Sequence, residues 1–362
     1  MEQSITKMFF IKSTIVLLFL SPFCHAVDKN DKVSNQLFSS SEPLELILQM
    51  DMHKVLNDKS DDPEYIPALL IQKISSTKIQ VFNIKIKARG RTRRIHSICE
   101  FPPLKINFEK KSTKKTIFEG QDKIKMVTHC QESESYQNYA LLEYLAYKTY
   151  NSITDFSYKV RMVNVTYRDI AQNYPDIEKT GFLIEDDDLL AERLGGTITD
   201  KRIWSPDSCH QKTVDIFSLF QFMIGNTDWW IHTRHNVDIV NLQNNTLIPI
   251  PFDFDYAGII NTPYATPSAQ LPIGNVKDRF FKGSCRTATY YDDAINVFNL
   301  KKSAVLSVLE GANYLERKDK KSSMKYVEEF YEIINDPDIF SDYLNKTCVY
   351  LNNPPNQLPV KK

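Results

Sequence analysis

The most constraining feature of this 362-residue chain is a pair of short apolar runs that lie between Gly225 and Gly258. Val237–Leu242 and Thr246–Ile250 have the β-branched, alternating composition of strands. The residues between them, Gln-Asn-Asn, have the composition of a turn. The segment therefore predicts a two-stranded β-hairpin.

Four polar residues bracket this hairpin. Asp228 and Asn236 precede its first strand, and Asp253 and Asp255 follow its second strand. Because the outer ends of a hairpin meet, we expect these side chains to converge. Carboxylate and amide oxygens are the ligands that Mg²⁺ and Mn²⁺ prefer. The pattern predicts a divalent-cation site with Asp253 as first ligand, Asp255 as second and Asn236 as a neutral donor.

Composition places the chain among globular proteins that have no net charge to attract a polyanion. Hydrophobic residues make up 42% of the sequence and aromatic residues 12%, which is enough for a large buried core. Lys plus Arg and Asp plus Glu both number 45. A balanced charge produces no global field that would recruit nucleic acid or an anionic membrane. We therefore predict no nucleic-acid partner.

The N-terminus has the features of a secretory signal peptide. Lys7 and Lys12 precede the apolar run Ser13–Phe23, and Ala26 offers a small residue at the cleavage point. The run is too short to span a bilayer comfortably. We predict a signal peptide at 1–26, export from the cytoplasm and no stable membrane span after cleavage, with an uncleaved anchor as the alternative.

Cysteine usage agrees with export. The five cysteines that follow the predicted signal peptide are too widely spaced for a zinc ribbon or a C-x-x-C motif. In an oxidising compartment they predict one or two disulfides and an odd thiol, and the pairing stays open. These cysteines are Cys99, Cys130, Cys209, Cys285 and Cys348.

Beyond a flexible lead at 27–43, strand-like alternation dominates the first third of the chain. The predicted strands are Leu44–Met50, Ile66–Ile74, Lys78–Ala88, Leu104–Phe108 and Lys123–Thr128. Tyr136–Tyr150 carries an apolar stripe at helical spacing. We predict an α+β chain with an N-terminal antiparallel sheet lobe at 44–185 and one key helix. A mostly helical C-terminal lobe at 186–350 contains the hairpin, and a tail occupies 351–362. This order is that of a protein-kinase-like bilobal fold.

Phosphoryl transfer requires positioning and charge neutralisation, and both can be matched to residues of this chain. Asp228 lies where a carboxylate would accept a proton from an attacking hydroxyl. A phosphate clamp needs a strand lysine and an acid on the following helix. Lys105 and Lys125 are equally good strand lysines, and Glu143 is the helical acid.

Two further segments are candidate nucleotide contacts. Arg89–Arg94 is basic and contains a glycine, so Arg89 begins either a phosphate-facing loop or a solvated turn. Gly181–Glu185 is either a buried strand or a hinge, ending at Glu185, whose backbone groups would bind adenine.

Other chemistries have weaker signals. His232 and His235 have metal-like spacing, but the H-E-x-x-H glutamate is missing. Neither a G-x-S-x-G elbow nor a G-x-x-x-x-G-K-[ST] loop occurs in the sequence, which disfavours a serine hydrolase and a P-loop nucleotidase.

The motifs together resemble the CotH-type family of atypical protein kinases. The similar segments are Arg89-Gly90 through Phe108, Glu143–Tyr147, Phe182–Glu185, Gly225–Asp228 with Asn236, and Asp253-Phe-Asp255. The chain departs from the family after Gly90, where Arg-Thr-Arg-Arg stands in place of a frequent Asn-Ser-Ser. The resemblance implies ATP and a divalent cation, with Asp228 as the catalytic acid and Asp253 as the metal ligand.

We therefore predict an exported kinase of the CotH type that depends on ATP and on Mg²⁺ or Mn²⁺. It would transfer the γ-phosphoryl group to a Ser, Thr or Tyr hydroxyl of a protein substrate. Two alternatives stay open. One is a catalytically silent kinase-fold protein for binding or assembly. The other is a metal-dependent transferase or hydrolase that uses the same carboxylates.

Overall fold

The computed structural model describes residues 33–58, 60–200 and 205–352. The predicted signal peptide lies outside this part of the chain, as do residues 27–32 of the lead and residues 353–362 of the tail. The strands are β1 Leu44–Met50, β2 Ile66–Lys73, β3 Ile79–Ala88, β4 Leu104–Phe108, β5 Lys123–Val127, β6 Val160–Asp169, β7 Ile177–Ile184, β8 Gly196–Ile198, β9 Val237–Leu242 and β10 Leu247–Pro251. The helices are α1 Met52–Asn57, α2 Glu134–Ile153, α3 Asp187–Arg193, α4 Gln211–Ile224, α5 Asp292–Glu310, α6 Arg317–Asn335 and α7 Pro337–Asn352.

Seven strands close into a barrel in the order β1-β2-β3-β4-β5-β7-β6. Neighbouring strands are antiparallel except at the seam, where β1 runs parallel to β6 from the Leu44–Val163 pair to the Met50–Asp169 pair. Side chains alternate between solvent and interior, as in β3, where buried Phe82, Ile84 and Ile86 alternate with exposed neighbours. The barrel interior is therefore a packed apolar core.

The predicted protein-kinase-like bilobal fold, with an N-terminal antiparallel sheet lobe, is wrong: the strands form a closed barrel of mixed direction. The reason is the parallel ladder between β1 and β6, whose paired residues are far apart in the chain. Strand alternation predicts one buried face, and that face is present in an open sheet and in a barrel alike. Closure also leaves the barrel without an unpaired edge strand.

The predicted hairpin is confirmed as β9 and β10, which pair antiparallel with Val240 opposite Ile248. Strand β8 joins them in a three-stranded sheet outside the barrel. The predicted helix at Tyr136–Tyr150 is confirmed inside α2, which packs between the barrel and the C-terminal helices. Stacked and edge-on rings of Tyr150, Phe220 and Phe254 fill the core between α2, α4 and the residues after β10.

Gly225 brings the two flanks of the hairpin together. It ends α4 with a φ of +67°, and its carbonyl accepts a hydrogen bond of 3.1 Å from the Gly258 N–H. A Cβ atom on Gly225 would lie 2.0 Å from the Tyr326 hydroxyl. The left-handed backbone therefore favours glycine at this junction, and a larger residue would also displace the Tyr326 side chain.

Two disulfides join distant parts of the described chain. Cys99 is bonded to Cys130, Cys285 is bonded to Cys348, and Cys209 is a buried free thiol. These bonds agree with the predicted one or two disulfides and odd thiol. Among the helices at 33–58, 60–200 and 205–352, none combines the length and apolar character needed to cross a bilayer.

Candidate functional site

Asp228 lies in the loop between α4 and β9, and polar neighbours fix its orientation. Its N–H donates to Asn226 Oδ1 at 2.9 Å. Its carboxylate is 2.8 Å from His235 Nε2 through Oδ1 and accepts a hydrogen bond of 3.0 Å from Asn236 Nδ2 through Oδ2. The Asp228 side chain remains 37% exposed, so a ligand can still reach it.

Asn236 connects Asp228 to the residue that follows the second strand of the hairpin. Its amide also donates to the Asp228 carbonyl at 2.8 Å, and its own carbonyl accepts from the Phe252 N–H at 3.1 Å. Asn236 and Asp253 both have a left-handed backbone, with φ of +53° and +60°. Asn and Asp tolerate this conformation better than most residues. Asn236 is thus hydrogen-bonded to Asp228 through its side chain and to Phe252, the residue before Asp253, through its backbone.

A buried arginine neutralises the carboxylates on the other side of Asp253. The Arg93 guanidinium donates to Asp253 Oδ1, to Glu143 Oε2 at 3.2 Å and lies 3.3 Å from Asp255 Oδ2. The Arg93 side chain is only 9% exposed. Tyr264 adds a hydrogen bond of 3.1 Å to Asp255. The sequence places Arg93 in a basic loop, but no local pattern signals these contacts.

Burial sets the charge state of the two inner acids. Removal from water raises the pKa of Glu143 to about 8 and that of Asp255 to about 6, and the neighbouring Arg93 charge opposes both shifts. Asp253 also contributes to raising both values through repulsion. Burial therefore favours the protonated form of Glu143 and of Asp255, and the Arg93 charge favours the ionised form of each.

The two candidate lysines face each other on adjacent strands, Lys105 on β4 and Lys125 on β5. Lys125 forms an ion pair with Asp187, and its ammonium is 5.2 Å from the Phe252 ring centroid. Glu143 pairs with Arg93 instead of with Lys125. Burial and then the Lys125 charge lower the pKa of Lys105, whose ammonium makes no hydrogen bond within the described residues.

Glu185 is buried and fully engaged by other parts of the protein. The Glu185 carboxylate is 1% exposed and accepts two hydrogen bonds, of 2.9 and 2.8 Å, from Arg193. Its N–H donates to the Lys159 carbonyl at 2.9 Å, so this group is not available to an adenine edge. The role of Glu185 in nucleotide binding stays a prediction without geometric support.

Two buried polar atoms near Arg93 have no hydrogen-bond partner among the residues that the structure describes. They are Arg89 Nη1 and Glu143 Oε1. The Arg89 charge lies close enough to Glu143 to help lower its pKa, although burial has the larger and opposite effect. Buried polar atoms without partners are rare and mark a place for a ligand or an ordered water. Arg89 therefore remains a good phosphate candidate.

A lysine that the sequence analysis missed supports the Asp228 loop. The Lys282 ammonium donates to the carbonyls of Thr227 and Trp229, at 2.8 and 2.6 Å. It also lies 3.7 Å from the Trp230 ring centroid. Lys282 is more than 50 residues away in sequence and has no motif around it, so only the tertiary structure reveals this contact.

The described residues offer few oxygens for a divalent cation, so a metal ion here would need most of its ligands from phosphates and water. Within residues 33–58, 60–200 and 205–352, no three His, Cys, Asp or Glu side chains form a metal cluster. Asp253 Oδ2 and Asn236 Oδ1 make no hydrogen bond in that part of the chain, while Arg93 covers the inner side of the acids. Mg²⁺ commonly takes one or two protein oxygens and completes its shell with phosphates and water.

A scan of the chain against protein-family models finds no match, and a search of curated proteins finds none either. A functional assignment therefore depends on the residues and their geometry alone.

Proposed function

We propose that this chain is an exported phosphotransferase that uses ATP with Mg²⁺ or Mn²⁺ and acts on a hydroxyl group of a protein. One observation carries the proposal. Asn236 bonds the Asp228 carboxylate and, through its carbonyl, the residue before Asp253, so an exposed acid and a cation ligand share one end of the hairpin. The proposal depends on this site and not on an overall fold.

Asp228 has the role of proton acceptor. As the acceptor oxygen bonds to the γ-phosphorus, the bond from phosphorus to the β–γ bridging oxygen breaks and ADP leaves with that oxygen. The hydroxyl proton passes to the Asp228 carboxylate. The hydrogen bond from Asn236 and the contact with His235 hold that carboxylate in one orientation.

Asp253 and Asn236 would hold the divalent cation, which neutralises charge on the transferred phosphoryl group when it is bound. Within the described residues, the Lys105 ammonium and Arg89 Nη1 are free donors that could bind phosphate oxygens. Arginine and lysine are the side chains that clamp phosphates in such sites.

The Arg93 contacts favour a second candidate, a nucleotide-binding protein without turnover. A cluster of acids usually indicates a cation, because carboxylates repel one another. Here Arg93 pairs with Glu143, Asp253 and Asp255, so part of their negative charge is offset without a metal ion. Such a protein would bind a nucleotide through Arg89 and Lys105 and would not transfer phosphate.

The test is nucleotide binding with and without Mg²⁺ or Mn²⁺, followed by transfer of labelled γ-phosphate to a set of protein acceptors. We expect transfer by the wild type and its loss in Asp228→Asn and Asp253→Ala. Asp293→Asn, on the exposed side of α5, is the matched control and should behave as wild type. Metal-linked binding without transfer would favour the second candidate, and no nucleotide binding at all would reject both.

Export is part of the proposal, and the two disulfides support it. Cys99–Cys130 and Cys285–Cys348 join segments on which the site depends. Disulfides persist in oxidising compartments and are rare in reducing ones. Fractionation of cells that produce the full chain would find it outside the cytoplasm, with the mature N-terminus near residue 27.

A further inference from the structure

Lys282 contacts the loop that contains Asp228. This contact involves neither the strands of the hairpin nor the acids around Arg93. Its ammonium donates to the carbonyls of the residues on both sides of Asp228, Thr227 and Trp229. Two peptide groups that bond to one donor cannot rotate independently. The backbone at Asp228 is therefore held from both sides, while its side chain is held by His235 and Asn236.

The surroundings of Lys282 make a merely space-filling role unfavourable. Its ammonium is 3.7 Å from the Trp230 ring centroid and 5.4 Å from that of Trp229. No carboxylate forms an ion pair with it among the described residues. Burial of a cation without an anionic partner costs free energy. An uncharged side chain of similar length, such as methionine, would avoid that cost. The charge is thus matched to the two carbonyls and the indole face.

The segment that carries Lys282 is itself anchored to the last helix. Thr347 on α7 donates to the carbonyl of Phe281, the residue before Lys282. Cys348, the next residue of α7, forms the disulfide with Cys285. Two adjacent residues of α7 therefore fasten the chain on both sides of Lys282. This connection runs from α7 through Lys282 to the loop of Asp228.

We propose that Lys282 is a positioning residue for Asp228, which it places by binding the two flanking peptide carbonyls. The proposal rests on the phosphotransferase function proposed above. Lys282 does not touch the reacting atoms. It holds the backbone so that the Asp228 carboxylate meets the acceptor hydroxyl at a reactive distance. An error of about 1 Å in such a placement can lower a rate by about 100-fold.

The charge on Lys282 changes with pH, but the two hydrogen bonds do not require it. Burial lowers its pKa to about 7, and the Asp228 charge opposes that shift. The titratable groups that face it are Asp228, His232 and His235. The geometry of the two hydrogen bonds carries the proposal, since a neutral amine still has two N–H donors for the two carbonyls.

The experiment compares Lys282→Met, Lys282→Arg and wild type. We expect Lys282→Met to lower kcat by about 10- to 100-fold with the KM for ATP within about twofold, because nucleotide binding does not use this loop. Lys282→Arg keeps several N–H donors and should restore part of kcat. Lys302→Met is the matched control, since Lys302 also lies over a ring, that of Tyr331 at 4.9 Å, but on the exposed side of α5.

Amide hydrogen exchange on the same proteins separates this proposal from the proposed activity. We expect faster exchange at residues 226–230 in Lys282→Met, with Lys282→Arg between it and wild type and the rest of the chain unchanged. Wild-type exchange in the loop of Lys282→Met would overturn the proposal, and so would a wild-type kcat. If the wild type transfers no phosphate, the function fails, and the exchange result alone still decides whether Lys282 holds the loop.

Discussion

Arg93 Nη1 lies 3.2 Å from Glu143 Oε2, so a guanidinium from the loop after β3 neutralises the buried acid of α2. The same guanidinium reaches Asp253 and Asp255 beyond the hairpin. One side chain therefore joins the barrel side of the site to the hairpin side. The balance of charge in the site depends on it more than on either strand lysine.

Arg93→Met should destabilise the protein strongly, because it leaves Glu143, Asp253 and Asp255 without their common counter-charge. Removal of one partner from a buried ion pair costs about 3–5 kcal/mol of unfolding free energy. Denaturant unfolding measures this loss. Arg168→Met, which breaks an exposed pair with Asp176, is the control and should unfold almost as wild type does.

Divalent cations should partly rescue Arg93→Met if the acids can bind them. Mg²⁺ or Mn²⁺ would then replace the lost positive charge, and the unfolding midpoint of the variant would rise with cation concentration. The wild type should respond much less, since Arg93 already occupies the inner side of the acids. Equal responses of the two proteins would show that Arg93 and the cation do not compete.

Asn236→Gly and Asn236→Ala should separate the role of the amide from that of the backbone. Both changes remove the hydrogen bonds to the Asp228 carboxylate and carbonyl, so both should lower phosphate transfer. Only alanine is strained at the φ of +53°, by about 1 kcal/mol. Unfolding should therefore distinguish the two variants, whereas activity should not. Full activity in Asn236→Gly would remove Asn236 from the site.

His129 should make the protein less stable in weak acid. Its ring is 3% exposed against Phe101 and Tyr167, and burial, with a smaller effect of Lys179, lowers its pKa from 6.5 to about 4. Between these values the unfolded chain binds a proton that the folded chain does not. Stability is therefore lost as the pH falls from about 6.5 towards 4. Thermal unfolding at several pH values should show a shallower loss in His129→Phe, and identical slopes would contradict this account.

Gly181→Ala should disturb the barrel where β7 passes β5. A Cβ atom there would lie 2.3 Å from the Val127 carbonyl oxygen, and the backbone on both sides is held in the barrel ladder. We expect a loss of about 1–3 kcal/mol in unfolding free energy. Gly274→Ala, whose Cβ would meet no atom within 4 Å, should leave the stability close to that of wild type.

Local patterns in the sequence were sufficient for the hairpin and for helix α2. Alternation over Val237–Leu242 and the turn after it predict two paired strands, and the pairing follows because only a few residues separate them. The hydrogen bond between Phe252 and Asn236 is a consequence of that hairpin. Helix α2 has an apolar stripe whose period is set by backbone geometry alone.

Contacts between distant segments could not be read in the same way. Alternation identifies the buried face of β1 but not its partner β6, and that partner turns a sheet into a closed barrel. The choice of Arg93 over Lys125 as the partner of Glu143 depends on where the loop after β3 lies. Sequence spacing carries no information about the pairing of β1 with β6 or about the ion pair of Arg93 with Glu143.

By itself, therefore, the sequence determined the hairpin and the position of Asp228, Asn236 and Asp253 beside its outer end, because hydrogen bonding between neighbouring strands is local. Only the tertiary structure decided that Arg93 neutralises those acids and that Lys282 binds the carbonyls around Asp228. These contacts arise when barrel closure and helix packing bring distant segments together. The free energy of such packing depends on residues throughout the core, so no short stretch of sequence predicts it.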